Sequence, residues 1–166
     1  MLNMQNRILP NLIDKLTDNA PGQRLEPLMN REVSIEKYKD IVLRDLIGLL
    51  NSSVTINKID LGEMEYVKES TLAYGTQSFA GMTFSNSNIR TILDEIKQAI
   101  LKFERRIDPK SLKVSLGKNA DGNIEHTTNH KLKISISGAL RPLQKTEMIL
   151  VETEIDLETG KFELVA

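Results

Sequence analysis

The chain has 166 residues, 40% hydrophobic and 27% charged, and its 22 Lys and Arg nearly balance 23 Asp and Glu for a net charge of −1. This is ordinary globular composition, long enough for one core, and it argues against wholesale disorder. The even charge disfavours a nucleic-acid binder that works by neutralising phosphates, and the absence of cysteine excludes disulfides and thiolate metal sites.

Met1 to Pro10 carries no apolar core of signal-peptide length, and no run approaches the roughly 20 apolar residues that span a bilayer. The expectation is a soluble, cytoplasmic protein. No repeat, low-complexity tract or linker divides the chain, so it reads as a single domain, residues 1–166. Within it the apolar period changes from helical to alternating near Pro109.

The first predicted helix carries Ile8, Leu9, Leu12, Ile13 and Leu16 at i, i+3/i+4 spacing, with its safest start at Pro10, since proline suits a first turn. Asp18 to Arg31, with Pro21, Gly22 and Pro27, reads as an irregular connection. Ser34 is an N-cap for the next helix, on which Tyr38, Val42, Leu46, Leu49 and Leu50 line one side, and Asn51-Ser52-Ser53 ends it. A shorter helix is predicted over Glu65 to Ala73, with Gly75 as its stop. Ser87 or Asn88 opens the clearest helix, whose buried stripe is Ile89, Ile92, Leu93, Ile96, Ile100 and Phe103.

Beyond Pro109, Leu112, Val114 and Leu116 alternate with polar residues, and Asn119 to Asn123 is a turn cluster. Leu132, Ile134 and Ile136 then alternate with Lys131, Lys133 and Ser135. A third run sets Ile149, Val151, Thr153, Ile155 and Leu157 against Glu152, Glu154, Asp156 and Glu158. Gly160 turns the chain into a last short strand with Phe162 and Leu164. Period-two alternation means one buried and one wet face. The predicted class is α+β: a helical part, about 1–108, packed on one face of an antiparallel sheet of three to four strands, about 110–166.

Glu125 and His126, followed by His130, have the composition of a metal site but sit between a turn and a strand, where a four-residue spacing loses its helical meaning; the loop reading is stronger. The acids at 152, 154, 156 and 158 fit the wet face of a strand opposite Lys131 and Lys133, in ion pairs of about 0.2–1 kcal/mol each, better than a calcium loop. Two carboxylates suffice for glycoside hydrolysis. However, the chain has no Trp, three Tyr and four Phe, most of them on buried stripes, which is poor material for a sugar cleft. Nucleophile elbows, phosphate loops and dinucleotide fingerprints are absent. A binding surface remains, with the sheet edge in the C-terminal hairpin, Glu147 to Ala166, as its foremost candidate, although the residues alone favour an ordinary edge protected by its charges.

The stretches Leu12-Ile-Asp-Lys-Leu-Thr-Asp-Asn-Ala-Pro21, Val42-Leu-Arg-Asp-Leu-Ile-Gly-Leu-Leu-Asn51, Glu69-Ser-Thr-Leu-Ala-Tyr-Gly75, Ala99-Ile-Leu-Lys-Phe-Glu-Arg-Arg-Ile107 and Thr153-Glu-Ile-Asp-Leu-Glu-Thr-Gly160 resemble TssE. TssE is the type VI secretion baseplate subunit, related to a phage-tail wedge protein long labelled lysozyme-like. The resemblance implies a structural protein without catalysis or cofactor, in a baseplate docked on the cytoplasmic side of the inner membrane without inserting into it. Implied partners are the wedge subunits TssF and TssG, with TssK and the spike hub as further ones, and the sheath proteins TssB and TssC, whose first ring extends by strand exchange. No nucleic acid is implied.

The family signature Phe-Glu-Pro-Arg, a wedge-docking element, matches Phe103-Glu104-Arg105-Arg106, with Arg105 in the proline's place; without proline the helix is free to run another turn. The expected protein-binding residues are Glu104, Arg105 and Arg106 there, and Glu152, Glu154, Asp156, Phe162 and Leu164 in the hairpin. The alternatives are a peptidoglycan-cleaving hydrolase, as the old label has it, and the equivalent subunit of a phage-derived contractile particle.

Overall fold

A computed structural model of the chain describes residues 8, 11–17, 22, 33–53, 65–68, 70–83, 85–117, 130–141 and 146–165. They belong to two compact units, 1–43 and 44–166. Pro10, most of 18–31, the turn at 119–123, Glu125 and His126 lie outside the described residues.

In the first unit, helix α1 (Leu12–Leu16) starts after Asn11, whose carbonyl accepts the Lys15 N–H at 3.0 Å. Five residues make little more than one turn, and the apolar stripe stays outside: Leu12, Ile13 and Leu16 are 72%, 67% and 76% exposed. Helix α2 (Ile35–Asn51) runs across the boundary between the units in sequence. Its cap is the one expected, Ser34, whose hydroxyl accepts the Lys37 N–H at 3.2 Å. Tyr38, Val42, Leu46, Leu49 and Leu50 are all buried.

In the second unit, the helix expected over 65–73 is broken into α3 (Glu65–Lys68) and a 3-10 turn (Thr71–Ala73). Ser70 is the cause. Its hydroxyl donates to the Val67 carbonyl at 2.8 Å and accepts the Leu72 N–H at 3.2 Å, local bonds that compete with a continuous helix. Gly75 then adopts φ +124°, which lets the Thr76 N–H reach the Ser52 carbonyl at 2.9 Å. Helix α4 (Asn86–Phe103) begins slightly before the expected start, because Ser85, not Ser87 or Asn88, is the cap and accepts the Asn88 N–H at 3.2 Å. Ile89, Ile92, Ile96, Ala99 and Ile100 form its buried face.

The four strands β1 (Lys113–Leu116), β2 (Lys131–Leu140), β3 (Glu147–Asp156) and β4 (Phe162–Leu164) pair antiparallel in chain order, so β1 and β4 are the edges. Register puts Ile134 opposite Thr153 and Ile136 opposite Val151, and this inner face is buried throughout the two central strands. Helix α4 lies against β1. The architecture is α+β, as the change of period predicts. The β3–β4 turn is fixed by the Asp156 carboxylate, which accepts the N–H groups of Glu158 at 2.7 Å and Thr159 at 3.3 Å, and by Gly160 at φ +73°.

Candidate interaction sites

Helix α4 stops at Phe103 without a proline. Glu104 leaves helical geometry at φ −105°, ψ 78°, and folds its side chain back over the next turn. Its Oε1 accepts the Arg106 backbone N–H at 3.1 Å and Nε at 2.7 Å, while Oε2 accepts Nη2 at 2.5 Å. The same Nη2 donates to Asp45 Oδ2 at 2.9 Å, and Asp45 Oδ1 accepts two bonds from Arg44. The extra turn that the missing proline would permit does not form, since these bonds hold the chain out of the helix. Arg105 projects from the turn, exposed.

Glu104 is only 7% exposed, so this is no solvated helix end. Burial works against the charge of Arg106, but the hydrogen bonds and proximity of Glu104 and Asp45 outweigh it and raise the guanidinium's pKa above its usual value. Tyr74, edge-on to Phe103 at 5.2 Å, is raised as well, first by burial and then by the carboxylates of Asp45 and Glu104. One donor of the cluster, Arg106 Nη1, is buried without a partner among the described residues.

This turn is sewn to one end of the sheet. Arg106 O accepts the Arg141 N–H at 2.6 Å, Ala139 O accepts the Asp108 N–H at 2.8 Å, and Ile107 sits opposite Leu140. It thereby continues the line of β1 beyond the excursion at Pro109. The hairpin residues lie elsewhere. Glu152 is exposed and Glu154 and Asp156 half-buried on the outer face, opposite Ser135, Lys133 and Lys131 in register, and Lys131 Nζ pairs with Glu154 Oε2 at 3.3 Å. The predicted cross-strand pairing is therefore present. Phe162 is buried against Phe79, ring centroids 6.1 Å apart, and Leu164 is 49% exposed. The expected protein-binding residues thus form two places, a helix-end turn and a hairpin.

His130 opens β2 at φ +61°, with Nε2 3.6 Å from Glu158 Oε1. Among the described residues no three His, Cys, Asp or Glu side chains group to hold a metal, and no helix is long and apolar enough to cross a membrane.

The family model described as baseplate wedge protein gp25 matches residues 36–144, about two-thirds of the chain. The chain belongs to this family. No curated protein and no solved structure gives a significant match. For a baseplate wedge protein gp25 member the matched span is informative: it takes in α4, the Glu104–Arg106 turn, β1 and β2, and stops before β3. The family is one of structural baseplate proteins, whose members contact other baseplate components, and the resemblance to TssE read from the sequence is borne out at this level.

Two residues that the sequence did not single out belong to these places. Asp45 lies 61 positions from Arg106, inside an ordinary amphipathic helix, and nothing local marks it. Asn51 reads as a helix end, yet its carboxamide reaches the hairpin. Nδ2 donates to Phe162 O and Oδ1 accepts the Phe162 N–H, each at 2.9 Å.

Proposed function

We propose that this chain is the baseplate subunit of a type VI secretion system that joins the wedge subunits TssF and TssG to the first ring of the TssB/TssC sheath, in a baseplate docked at the cytoplasmic side of the inner membrane. It acts without catalysis, through a turn that docks on the wedge and a sheet rim that lends backbone to a sheath strand. The observation that carries this is the rim. The described sheet has its inner face buried and β1 and β4 at its rims, and an edge strand of this kind can pair with another chain; membership of a baseplate wedge family supports that reading. The Glu104–Arg106 turn supports the second contact, because a buried, charge-assisted cluster holds Arg105 outward in a fixed pose.

Affinity-tagged chain, co-expressed with TssF, TssG, TssB and TssC, is expected to retain wedge and sheath subunits together. Retention of neither, alongside peptidoglycan turnover abolished by a single Asp or Glu change, would establish the hydrolase reading instead.

A further inference from the structure

We infer that Arg105 is the residue by which the helix-end turn chooses its partner, and that what it selects is an acidic segment of another protein, a carboxylate carried next to an apolar side chain. This rests on the reading of that turn as a docking site.

The backbone does not need an arginine here. The Ile107 N–H returns to the Glu104 carbonyl at 3.2 Å, so Glu104 to Ile107 is a β-turn with Arg105 and Arg106 at its centre. Among the described residues His130 is the only non-glycine with positive φ, so neither central residue is left-handed and the turn is of type I. Arg105 thus holds the position of such a turn that proline favours, and with the negative φ that a proline ring requires. Glu104, at ψ 78°, is already out of the α region that a following proline disfavours. The Arg105 N–H has no acceptor among the described residues, so a ring in its place deletes no bond. The turn is held instead by the Glu104 carboxylate on Arg106 and by Asp45.

The Arg105 side chain is therefore spare. It is exposed, and it pairs with no carboxylate among the described residues. The acids around the turn are already engaged: Glu104 by Arg106, Asp45 by Arg106 and Arg44, and Asp108 by Arg141. With them neutralised, the turn shows an outward positive charge, and a basic segment is repelled.

The surroundings supply the rest of the recognition. Phe103, which leads into the turn, meets Tyr74 edge-on, and Lys102 Nζ lies 4.9 Å from the centre of the same Phe103 ring. Tyr74 is 41% exposed, and its hydroxyl has no hydrogen-bond partner among the described residues. An aromatic surface with an unused donor, joined through Phe103 to an unpaired guanidinium, matches a carboxylate backed by an aliphatic or aromatic side chain. A bare phosphate has the charge but nothing to lay on the rings.

The test titrates the full chain with a capped peptide of aspartates flanking a phenylalanine, and with its lysine counterpart, following the Arg105 and Tyr74 side-chain resonances. The aspartate peptide is expected to shift both and the lysine peptide neither, with affinity falling as salt rises. Arg105→Pro separates recognition from folding. Its melting temperature is expected to equal or exceed that of the wild type, while affinity for the aspartate peptide falls about fivefold or more. Arg105→Gln, which keeps the N–H, gives the same loss should the proline variant fail to fold. Equal affinity of the wild type and Arg105→Gln overturns the assignment, as does an equal response to the lysine peptide. Arg105-dependent binding of inorganic phosphate or of phosphatidylserine vesicles in place of the peptide overturns it in favour of a phosphate-bearing partner. If the peptide fails to bind and Arg105→Gln still retains TssF and TssG, the acidic segment is wrong and the baseplate reading stands. If the peptide binds through Arg105 but no form retains those subunits, the baseplate reading fails and the acidic segment stands.

Discussion

Glu104 makes three bonds to Arg106 from a buried position, so deleting its carboxylate leaves a largely covered guanidinium without its main acceptor. Glu104→Ala is expected to lower stability by about 2 kcal/mol, seen as a lower urea midpoint with an unchanged m-value. The same logic makes alanine at Glu104 or Arg106 a poor probe of docking, since either change dismantles the turn that presents Arg105. Asp156 gives a pH dependence. The Glu158 N–H is the main cause that holds its carboxyl below the ordinary value of 3.8; burial opposes it, and bonds from Thr159 and the charge of Lys131 add to the lowering. The unfolded chain then binds the proton more readily, so the contribution is complete above that value and is lost as pH falls through the lowered folded pKa. Melting temperatures of the wild type and Asp156→Asn are expected to differ at pH 6 and to converge as the solution is acidified, in about the range where free Asp titrates. The acid row on β3 and its lysine partners were legible in the sequence because a strand's period of two assigns faces. Asp45 and Asn51 were not, because a bond spanning 61 or 111 positions leaves no local trace.

At the scale of elements, caps and stripes agree closely with the fold. Ser34 does what its position predicts, and α4 is placed by its isoleucines even though its cap is Ser85. Ser85→Ala is expected to cost about 1 kcal/mol in thermal or urea unfolding, with Ser87→Ala close to neutral, because Ser85 is the residue that accepts the first-turn N–H of Asn88. The break at Ser70 escaped the sequence reading for a physical reason. A serine inside a helical stripe is compatible with either outcome, and the choice depends on whether its hydroxyl bonds locally. The length of β4 is another such case, since alternation over Phe162 to Leu164 marks a strand but does not say that β3 will outrun it.

For the whole molecule, the consequence is that the two proposed contacts, the helix-end turn and the sheet rim, are separable. The chemistry of the two differs. Arg105 offers an exposed cation on a turn held by buried charges, whereas the sheet rim offers backbone. Arg105→Glu reverses a surface charge and removes no internal bond, so it is expected to leave the melting temperature within a degree or two and to reduce wedge retention about tenfold or more. Leu116→Pro, which removes a backbone donor on the side of β1 away from β2, is expected to do the converse, sparing the wedge and releasing the sheath. Co-purification of both variants against both sets of partners checks this directly. If either variant lost both partners while remaining folded, the two places would be one interface.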